Sequence, residues 1–248
     1  MNYYSRRYNA NFPPVVKNII ILSTLMLLIT WVMAGSFGID LTRYLALYFP
    51  GSEYFQPYQF VTHLFMHAGL THLFFNMFAL WMFGRVLENV WGSKRFFIFY
   101  FVTGIGAAAF YTLVRWFEFT ALKHQMTPEQ LQIVLQQGAQ ILRNNQNFTD
   151  PLMGKMNLFL NTPVVGASGA VFGVLLGFGM LFPNTQLMLL FPPIPIKAKY
   201  FVIGYGALEL YLALVQPGSH VAHVAHLGGM LFGYFMVKYW NKNRTTFY

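Results

Sequence analysis

Residues 18–35 read NIIILSTLMLLITWVMAG, with no charged side chain among them. A helix rises about 1.5 Å per residue, so a run of about 20 apolar residues crosses the hydrocarbon layer of a membrane. Working outward from this run, we place six spans at about 16–34, 70–89, 96–117, 163–182, 199–217 and 221–240. Composition points the same way: 56% of the 248 residues are apolar and 9% are charged, against about 25% charged in a soluble domain. So little charge cannot cover a water-exposed surface of this size. The chain is expected to be all-α, a polytopic membrane protein forming one six-helix domain over residues 1–248.

Two connections are long. Residues 35–69 are rich in aromatic residues and hold Gly51, Pro57 and Gly69; they are expected to lie in the membrane interface, where Tyr and Trp rings are at home. Residues 118–162 form an inserted outer loop. Within it TPEQLQIVLQQGAQILRNNQN (127–147) opens on a helix-start signal. Its apolar positions Leu131, Val134, Leu135, Ile141 and Leu142 predict a surface helix with one apolar side. Pro192, Pro193 and Pro195 predict a tight loop before the fifth span. There are no internal repeats.

The net charge of +9 does not form a nucleic-acid patch, because the basic residues sit at the ends of the apolar runs. With both termini cytoplasmic, the inner set is Arg6, Arg7, Lys17, Arg85, Lys94, Arg95, Lys197, Lys199, Lys238, Lys242 and Arg244, which is 11 of the 16 Lys and Arg. Arg43, Arg115, Lys123, Arg143 and Lys155 fall on or near the outer loops. This is the split that positive-inside sorting produces. Cysteine is absent, which excludes disulfides, thiolate metal sites and a thiol nucleophile. The first apolar run is too long for a cleavable signal and is expected to be retained.

In that topology the second, fourth and sixth spans all enter from the outer side. His72 and Asn76 lie at the outer start of the second span, Ser168 about five residues into the fourth and His226 about five into the sixth. Ser168 and His226 then share a depth of roughly 8 Å, where lone polar groups are expensive. Gly166, Gly169, Gly173 and Gly177 on the fourth span, and Ala225, Gly229 and Gly233 on the sixth, are small-residue strips. Such strips let helices pack backbone to backbone, with or without any chemistry attached. Here close packing would set a hydroxyl beside an imidazole, the pairing of a weak nucleophile with its base. His72 and Asn76, four apart on one face, are placed to donate hydrogen bonds to an oxyanion together with the Ser168 N–H. No Asp or Glu is placed to orient His226, so the reading is a dyad.

The motifs GASG (166–169), AHLGGMLFG (225–233) and HLFFN (72–76) resemble the three signature motifs of the rhomboid intramembrane serine proteases, and the likeness runs from about Ile19 to Trp240. The resemblance implies a rhomboid-like bundle that cuts transmembrane segments of other membrane proteins, with membrane lipids as its surroundings and no cofactor, metal or nucleic acid. By position it matches Ser168 to the nucleophile, His226 to the base, and His72 and Asn76 to the oxyanion hole. The resemblance also implies that Gly166 sits beside that hole and matches Phe172 to the aromatic on which the imidazole packs. The family often has Trp-Arg where Tyr58-Gln59 stands here, which leaves the anchoring of the interfacial loop open. The insertion at 118–162 exceeds the family pattern and lies beside the mouth of the site, either contacting substrate or resting on lipid.

His63 and His67 are four apart but lack a neighbouring carboxylate, and are expected to make structural hydrogen bonds in the outer loop. His220, His223 and His226 are read as unsuited to one metal, and His223 as bonding a loop carbonyl. Glu209, inside the fifth span, is given no role beyond bonding a neighbouring helix. Two other functions suit a polytopic membrane chain. An inactive relative that binds membrane clients would be expected to lack the Ser–His pair. A transporter would show polar residues through several spans, or half-helices in two repeats. With no transit peptide or seventh span evident, a bacterial plasma membrane is expected. A reporter fused after Tyr248 should stay on the inner side; its export would contradict the topology.

Overall fold

The computed structural model describes residues 12–188, 193–216 and 222–241. Arg6, Arg7, Pro192, His220, Lys242, Arg244 and both termini, which entered the sequence reading, lie outside the described residues. The helices are α1 (Pro14–Phe37), α2 (Leu70–Trp91), α3 (Ser93–Lys123), α4 (Pro128–Arg143), α5 (Pro151–Asn161), α6 (Ser168–Leu181), α7 (Ala198–Val215) and α8 (His223–Asn241). α2 contains a π-helical segment over Leu80–Gly84. Among the described residues α1, α2, α3 and α7 are long and apolar enough to cross a membrane. The expected fourth and sixth spans appear as α6, of 14 residues, and α8, of 19; glycines, histidines and Lys238 dilute the apolar content of α8. The expected proline loop is in part a hairpin, β1 (Gln186–Met188) pairing antiparallel with β2 (Pro195–Lys197).

α6 is the centre of the bundle, in contact with α2, α3, α7 and α8. Its glycines explain how. A Cβ on Gly169 would lie 2.6 Å from Ala107 Cβ of α3, and one on Gly173 would lie 2.6 Å from Thr103 Cβ. From the other side, a Cβ on Gly229 of α8 would overlap the carbonyl oxygen of Gly169, and one on Gly233 would meet the Gly173 carbonyl oxygen at 3.1 Å. Thr103, fully buried, satisfies its hydroxyl on the carbonyls of Phe99 and Tyr100. α1 is peripheral: only Val16, Ile19, Ser23 and Leu27 are buried, a stripe at helical spacing, and beyond Lys17 and Asn18 its remaining surface is mostly apolar. Its first turn is fixed by Glu88 of α2, whose two carboxylate oxygens accept the N–H groups of Val15 (2.9 Å) and Val16 (2.8 Å). A carboxylate suits the positive end of a helix.

The connection before α2 is anchored by the residue whose place in the family pattern was in question. Gln59 is fully buried. Its Oε1 accepts the N–H groups of Tyr48 and Gln56, each at 3.2 Å, and its Nε2 donates to the carbonyls of Tyr44 (3.2 Å) and Tyr54 (2.9 Å). One amide thus ties four backbone groups of the loop together.

The insertion contains two helices where the sequence reading predicted one. α4 starts at a Thr127–Gln130 capping box, and α5 at Asp150, whose carboxylate accepts the N–H groups of Leu152 and Met153. Val134 of α4 and Met156 and Leu160 of α5 are buried with Phe49 of the connection and Leu122 of α3. The insertion is therefore packed on the connection and on the end of α3.

Gln59→Leu is expected to keep the helices but loosen residues 42–62, since each buried group left unpaired costs about 1–3 kcal/mol. A lower melting temperature with faster proteolysis in that segment checks it; wild-type values would contradict the anchor.

Candidate active site

Three helix starts converge at one end of the bundle. The chain enters α6 extended: Leu47 and Val164 pair as an isolated antiparallel bridge, with N···O distances of 2.9 and 2.8 Å. Gly166 then adopts φ +123°, and its N–H donates to the His63 carbonyl at 3.0 Å. These two features hold the helix off until Ser168, which is its first residue rather than one several residues inside a regular span. The placement matters, because the first N–H groups of a helix lack intrahelical acceptors and point along the positive end of its dipole.

His226 lies in the first turn of α8. Its Nε2 is 2.9 Å from Ser168 Oγ and its Nδ1 is 2.9 Å from Glu209 Oε2 of α7. The ring stacks on Phe172, one turn beyond Ser168, with centroids 4.2 Å apart and planes 8° apart; Tyr205 packs behind Phe172 at 4.9 Å. A carboxylate oxygen can only accept, so Nδ1 donates to Glu209 and Nε2 is left to accept the Ser168 hydroxyl proton, an assignment made from this network.

Glu209 corrects the sequence reading. No carboxylate was expected at His226, and His223 was assigned to a loop carbonyl; instead His223 Nδ1 lies 2.6 Å from the same Glu209 Oε2. Residues three apart share a helix face, so His223 and His226 reach one partner. The signal was present in α7. Its only buried residues are Ala198, Val202 and Glu209, spaced four and seven, on a helix otherwise exposed and apolar. A glutamate on the packing stripe of a membrane helix must meet a polar partner, but sequence does not show which helix α7 packs against.

Glu209, His223 and His226 each offer a ligand atom, all within 4.8 Å of one another. The 2.6 and 2.9 Å contacts are hydrogen-bond lengths, whereas ligands about 2.0–2.1 Å from a tetrahedral zinc stand roughly 3.3 Å apart.

His72 and Asn76 lie on α2 beside this group. His72 Nδ1 accepts the Ala68 N–H at 3.4 Å, leaving Nε2 as a donor that faces Gly166. Asn76, buried, donates one amide proton to the His72 carbonyl at 2.9 Å, with its second donor still available. A small cavity at Ser168 is lined by Gly166, Gly104, Ala107 and Ala225 together with Tyr111 and Val164. Behind it, His63 is bonded through Nδ1 to the Gln59 carbonyl at 2.8 Å and His67 to the Phe65 carbonyl at 3.3 Å. Burial pushes both imidazoles down to about 4, so they are neutral at neutral pH.

A family model described as "Eukaryotic integral membrane protein (DUF1751)" matches residues 17–247. The chain belongs to this rhomboid-like membrane protein family. It is similar to Rhomboid protein 1, mitochondrial, of Saccharomyces cerevisiae, with 29% identity over 184 residues, 73% of this chain and 42% of that protein. Rhomboid protease AarA of Providencia stuartii is 25% identical over 177 residues, 68% of this chain and 51% of that protein. Presenilin-associated rhomboid-like protein, mitochondrial, of Homo sapiens is 26% identical over 180 residues, 71% and 36% of the two chains. The rhomboid-like chain thus aligns with about half or less of the length of these relatives. It is an integral membrane protein.

The backbone at Gly166 gives a test of the site's geometry. A Cβ there would lie 2.7 Å from His72 Cε1, on a φ that L-residues avoid. Gly166→Ala should lower the melting temperature by the equivalent of about 1–3 kcal/mol, whereas Gly35→Ala, with nothing within 4 Å, should not. Equal effects would contradict the described contact.

Proposed function

We propose that this protein is an intramembrane serine endopeptidase that cleaves transmembrane segments of membrane protein substrates. The observation that carries the reading is the 2.9 Å contact from His226 Nε2 to Ser168 Oγ, made at the first residue of a helix. In this reading Ser168 Oγ attacks the scissile carbonyl carbon as its proton passes to His226 Nε2. The carbonyl π pair moves to oxygen, and that oxyanion accepts hydrogen bonds from the Ser168 backbone N–H, Asn76 and His72, beside Gly166. Collapse expels the amine, which takes the proton from His226, and leaves an acyl-enzyme. Water then attacks the acyl carbon and gives its proton to His226; the C–Oγ bond breaks as His226 returns that proton to Ser168 Oγ, and the new carboxylic acid leaves. No step needs a metal or cofactor.

A six-span arrangement with both termini inside, resting on the distribution of basic residues, completes the proposal. The bacterial plasma membrane is the compartment in this reading, supported by similarity to a protease of Providencia stuartii.

In proteoliposomes, Ser168→Ala and His226→Ala should each abolish cleavage of a transmembrane substrate while the protein inserts and folds, and the double variant should be no worse. Cleavage retained by purified Ser168→Ala would overturn the mechanism. Asn76→Ala should lower kcat by about 10²–10³ with little change in KM or melting temperature; kcat per folded molecule near wild type would make Asn76 a packing residue.

A further inference from the structure

The mechanism above uses one nitrogen of His226. The other is held by a group that the mechanism leaves idle. Glu209 is 4% exposed and stands on a helix whose remaining surface is almost wholly apolar. A carboxylate in such a place is costly unless its oxygens are met by donors. Glu209 Oε2 is met by two, His223 Nδ1 at 2.6 Å and His226 Nδ1 at 2.9 Å. An oxygen that accepts two N–H bonds carries no proton itself. On the far side of the ring, Ser168 Oγ lies 2.9 Å from His226 Nε2. Serine, imidazole and carboxylate are therefore joined in one hydrogen-bonded line, contributed by α6, α8 and α7.

Resting on the reading of Ser168 and His226 given above, we infer that Glu209 is a positioning residue that completes a Ser168–His226–Glu209 triad. It fixes the Nδ1–H tautomer of His226, so that Nε2 is bare when Ser168 attacks. When Nε2 takes the serine proton, the imidazolium charge forms against the Glu209 carboxylate, and the Nδ1 proton stays on Nδ1. No atom is gained or lost in this arrangement; the carboxylate holds the ring and balances its charge. His223 Nδ1 holds the same oxygen, Oε2, so the atom that serves His226 is kept in place. Phe172, stacked on the ring face, leaves rotation about the ring as the freedom that Glu209 removes.

The rival account is a clasp: Glu209 merely pins α7 to α8. Kinetics and stability measured on one preparation separate the two. Glu209→Gln keeps size and hydrogen bonding but removes the charge, and its amide can present an N–H that stabilises the wrong tautomer. With a transmembrane substrate in proteoliposomes, it should lower kcat about 10²–10⁴-fold, leave KM within about threefold, and leave the melting temperature near wild type. Glu209→Asp, which keeps the charge, should recover at least part of that loss. A kcat near wild type for Glu209→Gln, or a loss that only follows the fraction of folded protein, would overturn the triad and leave the clasp. Should Glu209→Gln fail to fold, kcat per folded molecule of Glu209→Ala decides: a loss supports the role, and a wild-type value overturns it. The Ser168→Ala control keeps the layers apart. If it abolishes cleavage while Glu209→Gln does not, only the triad falls; if it cleaves normally, both readings fall.

Discussion

The approach of α6 to α8 at Gly169 and Gly229 is the constraint on which the rest of the structure depends. In a membrane no hydrophobic drive pulls helices together, because lipid tails are as apolar as leucine; close packing and polar contacts must do it. A Cβ at Gly229 would occupy the space of the Gly169 carbonyl oxygen, so the contact exists only because Gly229 has no side chain. Gly233 repeats it one turn along against Gly173. This spacing brings the first turns of both helices into register and sets His226 Nε2 within 2.9 Å of Ser168 Oγ. Ala107 and Thr103 of α3 close the opposite side of α6, so the nucleophile's helix is held on two faces by small residues.

Around this contact the structure builds a second layer at the same end. The Leu47–Val164 bridge joins the outer connection to the segment entering α6, and the His63 carbonyl holds the N–H of Gly166. Gln59 holds the connection, and a chain of amides extends it into the insertion: Ser52 Oγ donates to Asn161 Oδ1, Asn161 Nδ2 to Asn157 Oδ1, and Asn157 Nδ2 to Asn147 Oδ1. Arg115 of α3 adds a link to α5, its guanidinium 3.6 Å from the Phe159 ring centre and bonded to the Phe159 carbonyl at 3.3 Å. The insertion is thereby coupled to the loop that borders the site.

Much of this was legible in sequence for physical reasons. Long apolar runs report helices in lipid whatever their neighbours, and glycine at intervals of four reports a close helix face. Ser168, His226, His72 and Asn76 stand out by depth and spacing, and Gly166 and Phe172 only through the rhomboid resemblance; the structure gathers Ser168 with His226 and Phe172, and His72 with Gly166. What escaped depends on tertiary neighbours. Glu209 and His226 are 17 residues apart on different helices, and nothing local pairs them. The start of α6 at Ser168 follows from a positive φ at Gly166 and a bridge to Leu47, both set by the fold. Gln59 anchors its loop through backbone groups, which no side-chain pattern announces.

The central claim is that Ser168 is a nucleophile activated by His226. Labelling the folded protein in proteoliposomes with a fluorophosphonate, followed by mass spectrometry of the adduct, tests it most directly. The account predicts a single adduct on Ser168, absent in Ser168→Ala and formed far more slowly in His226→Ala at unchanged melting temperature. A folded, substrate-cleaving preparation that takes no label at Ser168, or takes it equally fast without His226, would contradict the account.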